Sequence, residues 1–154
     1  MKINLVKINK KEKDTLSKMM TVYQQELLCL DNPGEYKYLH LYFENVNYHP
    51  YFIKVDKEII GFVLVNNYSV IEKNCYSIAE FYVKKEYRNR NIGKIAAIKV
   101  FNLYPGKWEI RELKKSTKAH EFWVNVINKY TNGNFKEINL DNEQWKGPVQ
   151  LFRN

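Results

Sequence analysis

Cysteine and histidine are scarce in this sequence. Cys29 and Cys75 are the only cysteines; neither belongs to a Cys-x-x-Cys pair, and two cysteines make no disulfide framework. The three histidines, His40, His49 and His120, show no metal-ligand spacing. We therefore expect reduced thiols and no metal site.

Long apolar runs are also lacking. No stretch approaches the roughly 20 apolar residues that span a bilayer, and the first residues, MKINLVKINKKEK, contain no apolar segment long enough for a signal peptide. The chain has 154 residues, of which 45% are hydrophobic and 15% aromatic, so it is globular rather than disordered. We expect a single domain over residues 1–154, located in the cytosol, with no membrane partner.

Acidic residues are fewer than basic residues. The net charge is +8, from 25 Lys and Arg against 17 Asp and Glu, which suits nucleic acid, a membrane surface or an anionic small ligand. Only four of the cations are arginines, and Lys, Asn, Ile and Tyr are all abundant, which is typical of genome-wide codon bias. No long basic tract is interleaved with aromatic residues. We expect no nucleic-acid partner; salt-dependent binding of DNA or RNA would support that third hypothesis.

Apolar periodicity predicts the element order β-α-α-β-β-β-α-β-α-β-β. We therefore expect an α/β fold in which helices flank a mixed β-sheet. Asn9 and Glu12 form a capping-box pattern at the start of the first helix. The predicted strands are 2–8, 51–55, 59–65, 76–83, 107–113, 135–140 and 148–152, and the predicted helices run from Asn9 to about Leu28, over 35–45, from about Ile92 to Pro105, and from Ser116 or Thr117 to about Tyr130.

A basic turn lies between a predicted strand and a predicted helix in residues 78–97. A helix N-terminus exposes backbone N–H groups and the positive end of its dipole, so it favours anions. Gly93 permits close backbone approach, Asn91 tolerates the left-handed conformation, and Arg88 and Arg90 add permanent charge. The turn lacks the Ser or Thr of a Walker loop after Lys94 and the three glycines of a dinucleotide loop. The sequence thus predicts another kind of phosphate site.

The segment AEFYVKKEYRNRNIGKIAA resembles motif A of the GNAT superfamily of acyl-coenzyme A-dependent N-acyltransferases. Members of that superfamily carry Gln or Arg, two residues, Gly, one residue, and then Gly or Ala. Here the pattern reads Arg88, Asn89-Arg90, Asn91, Ile92, Gly93, with Asn91 in place of the first glycine. The resemblance continues through PGKWEIREL and AHEFWVNVINKYTNGNF, as in a bacterial subgroup of predicted acetyltransferases. It covers nearly the whole chain and implies a GNAT-like fold with a central mixed sheet.

The resemblance also implies a cofactor and the residues that bind it. Acetyl-coenzyme A would be the acyl donor, with its diphosphate on the backbone N–H groups of residues 88–94. Its pantetheine arm would pair with Phe81 to Val83 like an added strand, and the N–H at Val83 or nearby would bind the thioester oxygen. Residues of the last long helix would flank the arm; there, Ser116 replaces an Asn typical of the subgroup. The predicted cofactor-binding residues are Phe81, Tyr82, Val83, Arg88, Asn89, Arg90, Asn91, Ile92, Gly93, Lys94, Ser116, Ala119 and Phe122.

Glu80 is the candidate catalytic residue. A primary amine with a pKa of about 10.4 must lose a proton before it attacks a thioester, and a Glu in an otherwise apolar strand has its pKa raised by burial. Three alternatives stay open: Glu80 acts directly or through water, it binds a cationic substrate without taking a proton, or it pairs with a surface Lys. Many relatives use a Tyr as the acid where this chain has Trp123, so that role is empty or filled by another group, with Tyr82, Tyr104 and Tyr130 as candidates.

The leading hypothesis is an N-acetyltransferase in which a primary amine attacks acetyl-coenzyme A directly in a ternary complex, the protein being a monomer or a homodimer. We expect the acceptor to be a small cationic amine, such as an aminoglycoside, a polyamine or an amino-acid derivative, with a protein lysine or N-terminus as the alternative. A covalent acyl-cysteine is disfavoured because nothing in the sequence pairs either thiol with a histidine. The alternative is a non-catalytic acyl-coenzyme A-binding module, which Trp123 favours.

Overall fold

The computed structural model describes residues 1–27 and 29–154. Its elements follow the predicted order. The strands are β1 (Ile3–Lys7), β2 (His49–Val55), β3 (Glu58–Asn66), β4 (Cys75–Val83), β5 (Lys107–Arg111), β6 (Lys136–Asp141) and β7 (Lys146–Arg153). The helices are α1 (Lys13–Leu27), α2 (Leu41–Glu44), α3 (Ile92–Leu103) and α4 (Thr117–Thr131), with short 3-10 turns at Lys10–Glu12 and Lys85–Tyr87. The predicted end of the first helix, at Leu28, lies outside the described residues.

The strands form a seven-stranded sheet in the order β1-β2-β3-β4-β5-β7-β6. β4 and β5 pair in parallel over Cys75–Ser77, whereas β1–β2, β2–β3, β5–β7 and β6–β7 pair antiparallel. The sheet is therefore mixed and flanked by helices, as predicted. By internal packing the chain divides into two compact units, residues 1–65 with 79–93, and residues 66–78 with 94–154. The prediction of one domain over residues 1–154 stays a prediction.

In the first unit, α1 packs its apolar stripe on the sheet. Leu16 and Met20 are buried four residues apart, as expected for one face of a helix, and they share a core with Phe52, Phe62 and other apolar residues of β2 and β3. Each such side chain contributes about 1.5–3 kcal/mol on burial. The predicted capping pattern is present, with the Asn9 N–H donating to Glu12 Oε1 at 3.3 Å.

β3 and β4 approach closely at Gly61. A Cβ atom there would lie 2.1 Å from the carbonyl oxygen of Tyr82, a distance that no real side chain permits. Only glycine therefore fits at this position of β3.

The predicted helix over residues 35–45 is wrong for most of its length. Only Leu41–Glu44 is helical, and the preceding residues make i to i+3 turns, such as Leu39 N–H to Tyr36 O at 3.1 Å. The segment is rich in aromatic rings: Tyr36 and Tyr38 pack edge-on with centroids 5.9 Å apart, and Tyr42 is buried in the core. Tertiary packing of these rings therefore outweighs local helix propensity.

The second unit has an aromatic core and a carboxylate-bound loop. Phe101 of α3 contacts the rings of Trp108, Trp123 and Phe152, with centroids 5.0, 6.3 and 4.9 Å away. Glu109 of β5 is fully buried, accepts the backbone N–H groups of residues 70–72 at 2.7–2.8 Å, and forms an ion pair with Arg111 at 3.1 Å. One carboxylate thus satisfies three donors that no strand uses.

In the part of the chain that the structure describes, no helix has the length and apolar character needed to cross a membrane.

Candidate functional site

In the C-terminal half of β4, successive residues direct their backbone N–H and C=O groups to opposite edges of the strand. The Lys84 N–H donates to Ile60 O at 2.8 Å and the Tyr82 carbonyl faces Gly61, so both residues direct their groups towards β3. Successive residues of a strand point their polar groups to opposite edges, so Phe81 and Val83 point theirs away from β3. The pairing of these residues with the pantetheine arm stays a prediction.

The turn after β4 has an unusual backbone. Asn89 and Asn91 adopt the left-handed conformation, with φ of 61° and 62°, and Arg90 between them has negative φ. Alternating signs of φ make concave arrays of N–H groups that bind anions. The prediction for Asn91 is confirmed, and Asn89 shares its conformation.

α3 begins directly after these residues. It starts at Ile92, so the N–H groups of its first turn, including those of Gly93 and Lys94, have no partner within the helix. The Ile92 side chain is buried, so this residue offers only its backbone to a ligand. The backbone of residues 89–93 thus has the conformation that the predicted anion site needs, and its role in binding the cofactor stays a prediction.

Arg88 points inward, which the sequence did not indicate. Its Nη2 lies 2.7 Å from Glu26 Oε1 on α1, its Nε donates to Val83 O at 2.8 Å, and its guanidinium lies 5.5 Å from the Tyr82 ring centroid. Its backbone N–H donates to Lys85 O at 3.2 Å. Glu26 therefore neutralises the charge that Arg88 was expected to offer to an anion, and Arg88 shapes the turn.

Glu80 faces α1 together with Tyr82. Tyr23 Oη donates to Glu80 Oε1 at 3.5 Å, and the Tyr23 ring lies 5.8 Å from the Tyr82 ring and 5.6 Å from the Phe62 ring. Glu80 and Tyr82 lie two residues apart in β4 and therefore share one face of the strand.

The Glu80 carboxyl is buried in these aromatic surroundings. Its Oε2 is inaccessible and has no hydrogen-bond partner among the described residues. Burial raises the pKa of Glu80 to about 7, and the hydrogen bond from Tyr23 opposes that rise. Burial and the nearby Glu80 carboxylate raise the pKa of Tyr23 and of Tyr36, so both phenols stay protonated at neutral pH.

The sequence left open whether Glu80 pairs with a surface lysine. Within residues 1–27 and 29–154, none of the ion pairs includes Glu80. The carboxyl is thus a buried acid whose hydrogen-bond partner is the Tyr23 phenol, and burial raises its pKa to about 7. Such a group can accept a proton or hold a cation.

Sequence reasoning missed Tyr23, Glu26 and Tyr36. The three-residue spacing of Tyr23 and Glu26 puts them on one side of α1, but a helix of this polarity has several such pairs. Nothing local connects these residues to β4, so no sequence signal identified them.

The remaining predicted residues lie in the second unit, on α4 or at its start. Ser116 is the N-cap of α4 without a side-chain capping bond, Ala119 is exposed, and Phe122 packs edge-on against Trp123 with centroids 5.0 Å apart. Trp123 is buried in the aromatic core. Their assignment to the cofactor stays a prediction.

Each candidate for a general acid is engaged elsewhere. Tyr82 Oη donates to Glu26 Oε2 at 3.1 Å, and burial raises the pKa of Tyr82 to about 12. Tyr130 Oη donates to Asn102 Oδ1 at 2.7 Å, and the Tyr104 ring packs against another tyrosine, with centroids 5.2 Å apart.

Burial also raises the pKa of Cys75 to about 11, which disfavours a thiolate nucleophile there.

Among the described residues, no three or more His, Cys, Asp or Glu side chains are grouped to hold a metal ion.

Comparison with known proteins identifies a matching family and solved structures with the same fold. A model of the acetyltransferase (GNAT) family matches residues 16–125. A GNAT-family acetyltransferase from Staphylococcus aureus superposes with a TM-score of 0.65 at 18% identity, covering 99% of each chain. The PaiA N-acetyltransferase of Thermoplasma acidophilum, in complex with coenzyme A, gives 0.65 at 16% identity, covering 100% of each chain.

An aminoglycoside acetyltransferase, also in complex with coenzyme A, gives a TM-score of 0.69 at 12% identity and covers 99% of this chain and 95% of its own. At such identities these likenesses establish the fold. A search of the curated proteins found no match. The family match covers every predicted site residue from Glu80 to Phe122.

Proposed function

The chain belongs to the GNAT family of acetyltransferases, with acetyl-coenzyme A as its acyl donor, and from that premise we propose that it acetylates a primary amine by direct attack in a ternary complex. The observation that carries the proposal is Glu80: a buried carboxyl on β4, with its pKa raised to about 7 and one oxygen without a partner among the described residues. Bound acetyl-coenzyme A supplies the electrophilic thioester.

The chain's own groups fit the donor. The edge of β4 that carries the polar groups of Phe81 and Val83 suits an extended amide arm. The left-handed Asn89 and Asn91 and the start of α3 suit a diphosphate. We propose that the Val83 N–H, as part of β4, stabilises the negative charge that develops on the acyl oxygen during attack.

Glu80 prepares the acceptor. An ammonium group carries no lone pair, so the amine must give up a proton before its nitrogen attacks the acyl carbon. The carbon–sulfur bond then breaks, coenzyme A leaves as the thiolate, and the second proton of the nitrogen neutralises that thiolate directly or through solvent. Glu80 accepts that proton, directly or through a water molecule, and its pKa near 7 leaves a large fraction ionised at neutral pH. A carboxylate in aromatic surroundings also attracts a cation, so we propose a small cationic amine as acceptor.

The test combines binding and turnover. We expect acetyl-coenzyme A to raise the melting temperature, because it binds only the native state, and a panel of primary amines to release free thiol in its presence. Absence of any shift with acyl-coenzyme A would refute the cofactor assignment. A shift without transfer to any amine would favour the alternative, a non-catalytic binding module, which the burial of Trp123 in the core also favours.

A further inference from the structure

We propose that Glu26 of α1 is a positioning residue for the cofactor-binding turn. The inference rests on the proposed function. Glu26 uses both carboxylate oxygens: Oε1 lies 2.7 Å from Arg88 Nη2, and Oε2 accepts from Tyr82 Oη at 3.1 Å. It thereby connects a residue of β4 and the first residue of the turn to the same helix.

The Arg88 guanidinium is fixed from three directions. Glu26 binds one end, the Val83 carbonyl binds Nε at 2.8 Å, and the Tyr82 ring covers its face, 5.5 Å from the centroid. The side chains of Arg88 and Glu26 are only 30% and 28% exposed, so the pair is less screened than a surface ion pair. Removing the carboxylate would leave a partly buried cation without its counter-ion, and the guanidinium would leave this position.

The geometry of the turn depends on that position. Arg88 immediately precedes the left-handed Asn89. Its Nε donates a hydrogen bond to the carbonyl of Val83 at the end of β4. A turn fixed in advance binds its ligand without an ordering cost. Because Glu26 also neutralises Arg88, we expect the turn to bind the diphosphate through backbone N–H groups rather than through the Arg88 charge. Glu26 itself touches no ligand.

Glu26→Gln removes the charge and keeps the shape. We expect the acetyl-coenzyme A dissociation constant, measured by calorimetry, to rise roughly tenfold, and the KM for acetyl-coenzyme A to rise with it, while kcat and the KM for the amine change less than about twofold. A variant that only destabilised the fold would have a lower melting temperature, but its KM for acetyl-coenzyme A would not rise while kcat stayed the same. Arg88→Gln should give a similar rise, and the double variant no more than either single change, because both disrupt one contact.

Glu86→Gln is the matched control. Glu86 is an exposed carboxylate two residues before Arg88, so its loss changes the charge near the turn by the same amount, and affinity should stay within about twofold. An unchanged affinity in Glu26→Gln, or additive effects in the double variant, would overturn the inference. A tighter and more salt-dependent affinity would also overturn it, because Glu26 would then be withholding Arg88 from the ligand.

Two further measurements keep the inference separate from other failures. If Glu26→Gln does not fold, as judged by circular dichroism, Glu26→Asp keeps the charge but is one methylene too short for both contacts; we expect about threefold weaker binding, and an unchanged affinity would count against positioning. If the wild type does not bind acetyl-coenzyme A at all, the proposed function fails. If the wild type binds and the Glu26 variants bind equally well, only this inference fails.

Discussion

Replacing Glu80 by glutamine should make the protein more stable and less active at the same pH. The folded-state pKa of Glu80 is about 7 against an ordinary value of 4.5, so the folded chain holds this proton more tightly than the unfolded chain. Proton binding at Glu80 therefore stabilises the folded state. This contribution is complete below about pH 4.5 and is lost as the pH rises through 7. At 1.36 kcal/mol per unit, the buried carboxylate costs about 3 kcal/mol above pH 7.

Glu80→Gln stays neutral at every pH, so it avoids that cost. We expect wild type and variant to have similar free energies of unfolding near pH 4, and the variant to be more stable by about 2–3 kcal/mol at pH 8, measured by urea denaturation with linear extrapolation. Acetyl transfer should fall by about 100- to 10 000-fold, with acetyl-coenzyme A affinity retained. In the wild type, kcat/KM should rise with pH up to a plateau above about 7.

The difference between the two proteins isolates Glu80 from other groups. Glu112 also has its pKa raised by burial, to about 8, and its contribution cancels in the subtraction. Glu143→Gln, in an exposed turn, should show no pH-dependent difference from the wild type. An equal stability difference at pH 4 and pH 8 would refute the buried-carboxyl argument, and full activity of Glu80→Gln would refute its role as base.

Three further predictions concern residues around Glu80 and the turn. Tyr23→Phe removes a hydrogen bond that lowers the pKa of Glu80, so the acid limb of kcat/KM should move to higher pH; a shift to lower pH would contradict this. Gly61→Ala puts a Cβ 2.1 Å from the Tyr82 carbonyl, so urea denaturation should show a loss of 2 kcal/mol or more, and a neutral result would mean that the strands separate easily. Asn91→Gly should retain acetyl-coenzyme A affinity, whereas Asn91→Val should weaken it several-fold, because a β-branched residue resists positive φ; equal affinities would exclude a role for this conformation.

The sequence predicted the features that depend on local chemistry. The capping box at Asn9, the left-handed Asn91 and the start of α3 at Ile92 are each determined by a few neighbouring residues, and all are confirmed. The helix over residues 35–45 failed because ring packing, a tertiary effect, determines that segment. Long-range contacts were not predictable: Tyr23 lies 57 residues from Glu80 in the chain.

Arg88 shows that the partner of a charged side chain was not predictable from the sequence either. An arginine in an anion-binding turn was interpreted as a ligand for that anion, since sequence gives the sign of a charge and not its partner. The partner is a carboxylate on α1, 2.7 Å away, which only the folded arrangement supplies.

The loop held by Glu109 has consequences for hydrogen exchange. The amides of residues 70–72 belong to no strand, yet each donates to one buried carboxylate. Opening this loop would remove three hydrogen-bond donors from the buried Glu109 carboxylate and leave it with its ion pair to Arg111. Those amides should therefore exchange as slowly as β5 itself, and an irregular segment becomes part of the most protected cooperative unit of this half of the molecule.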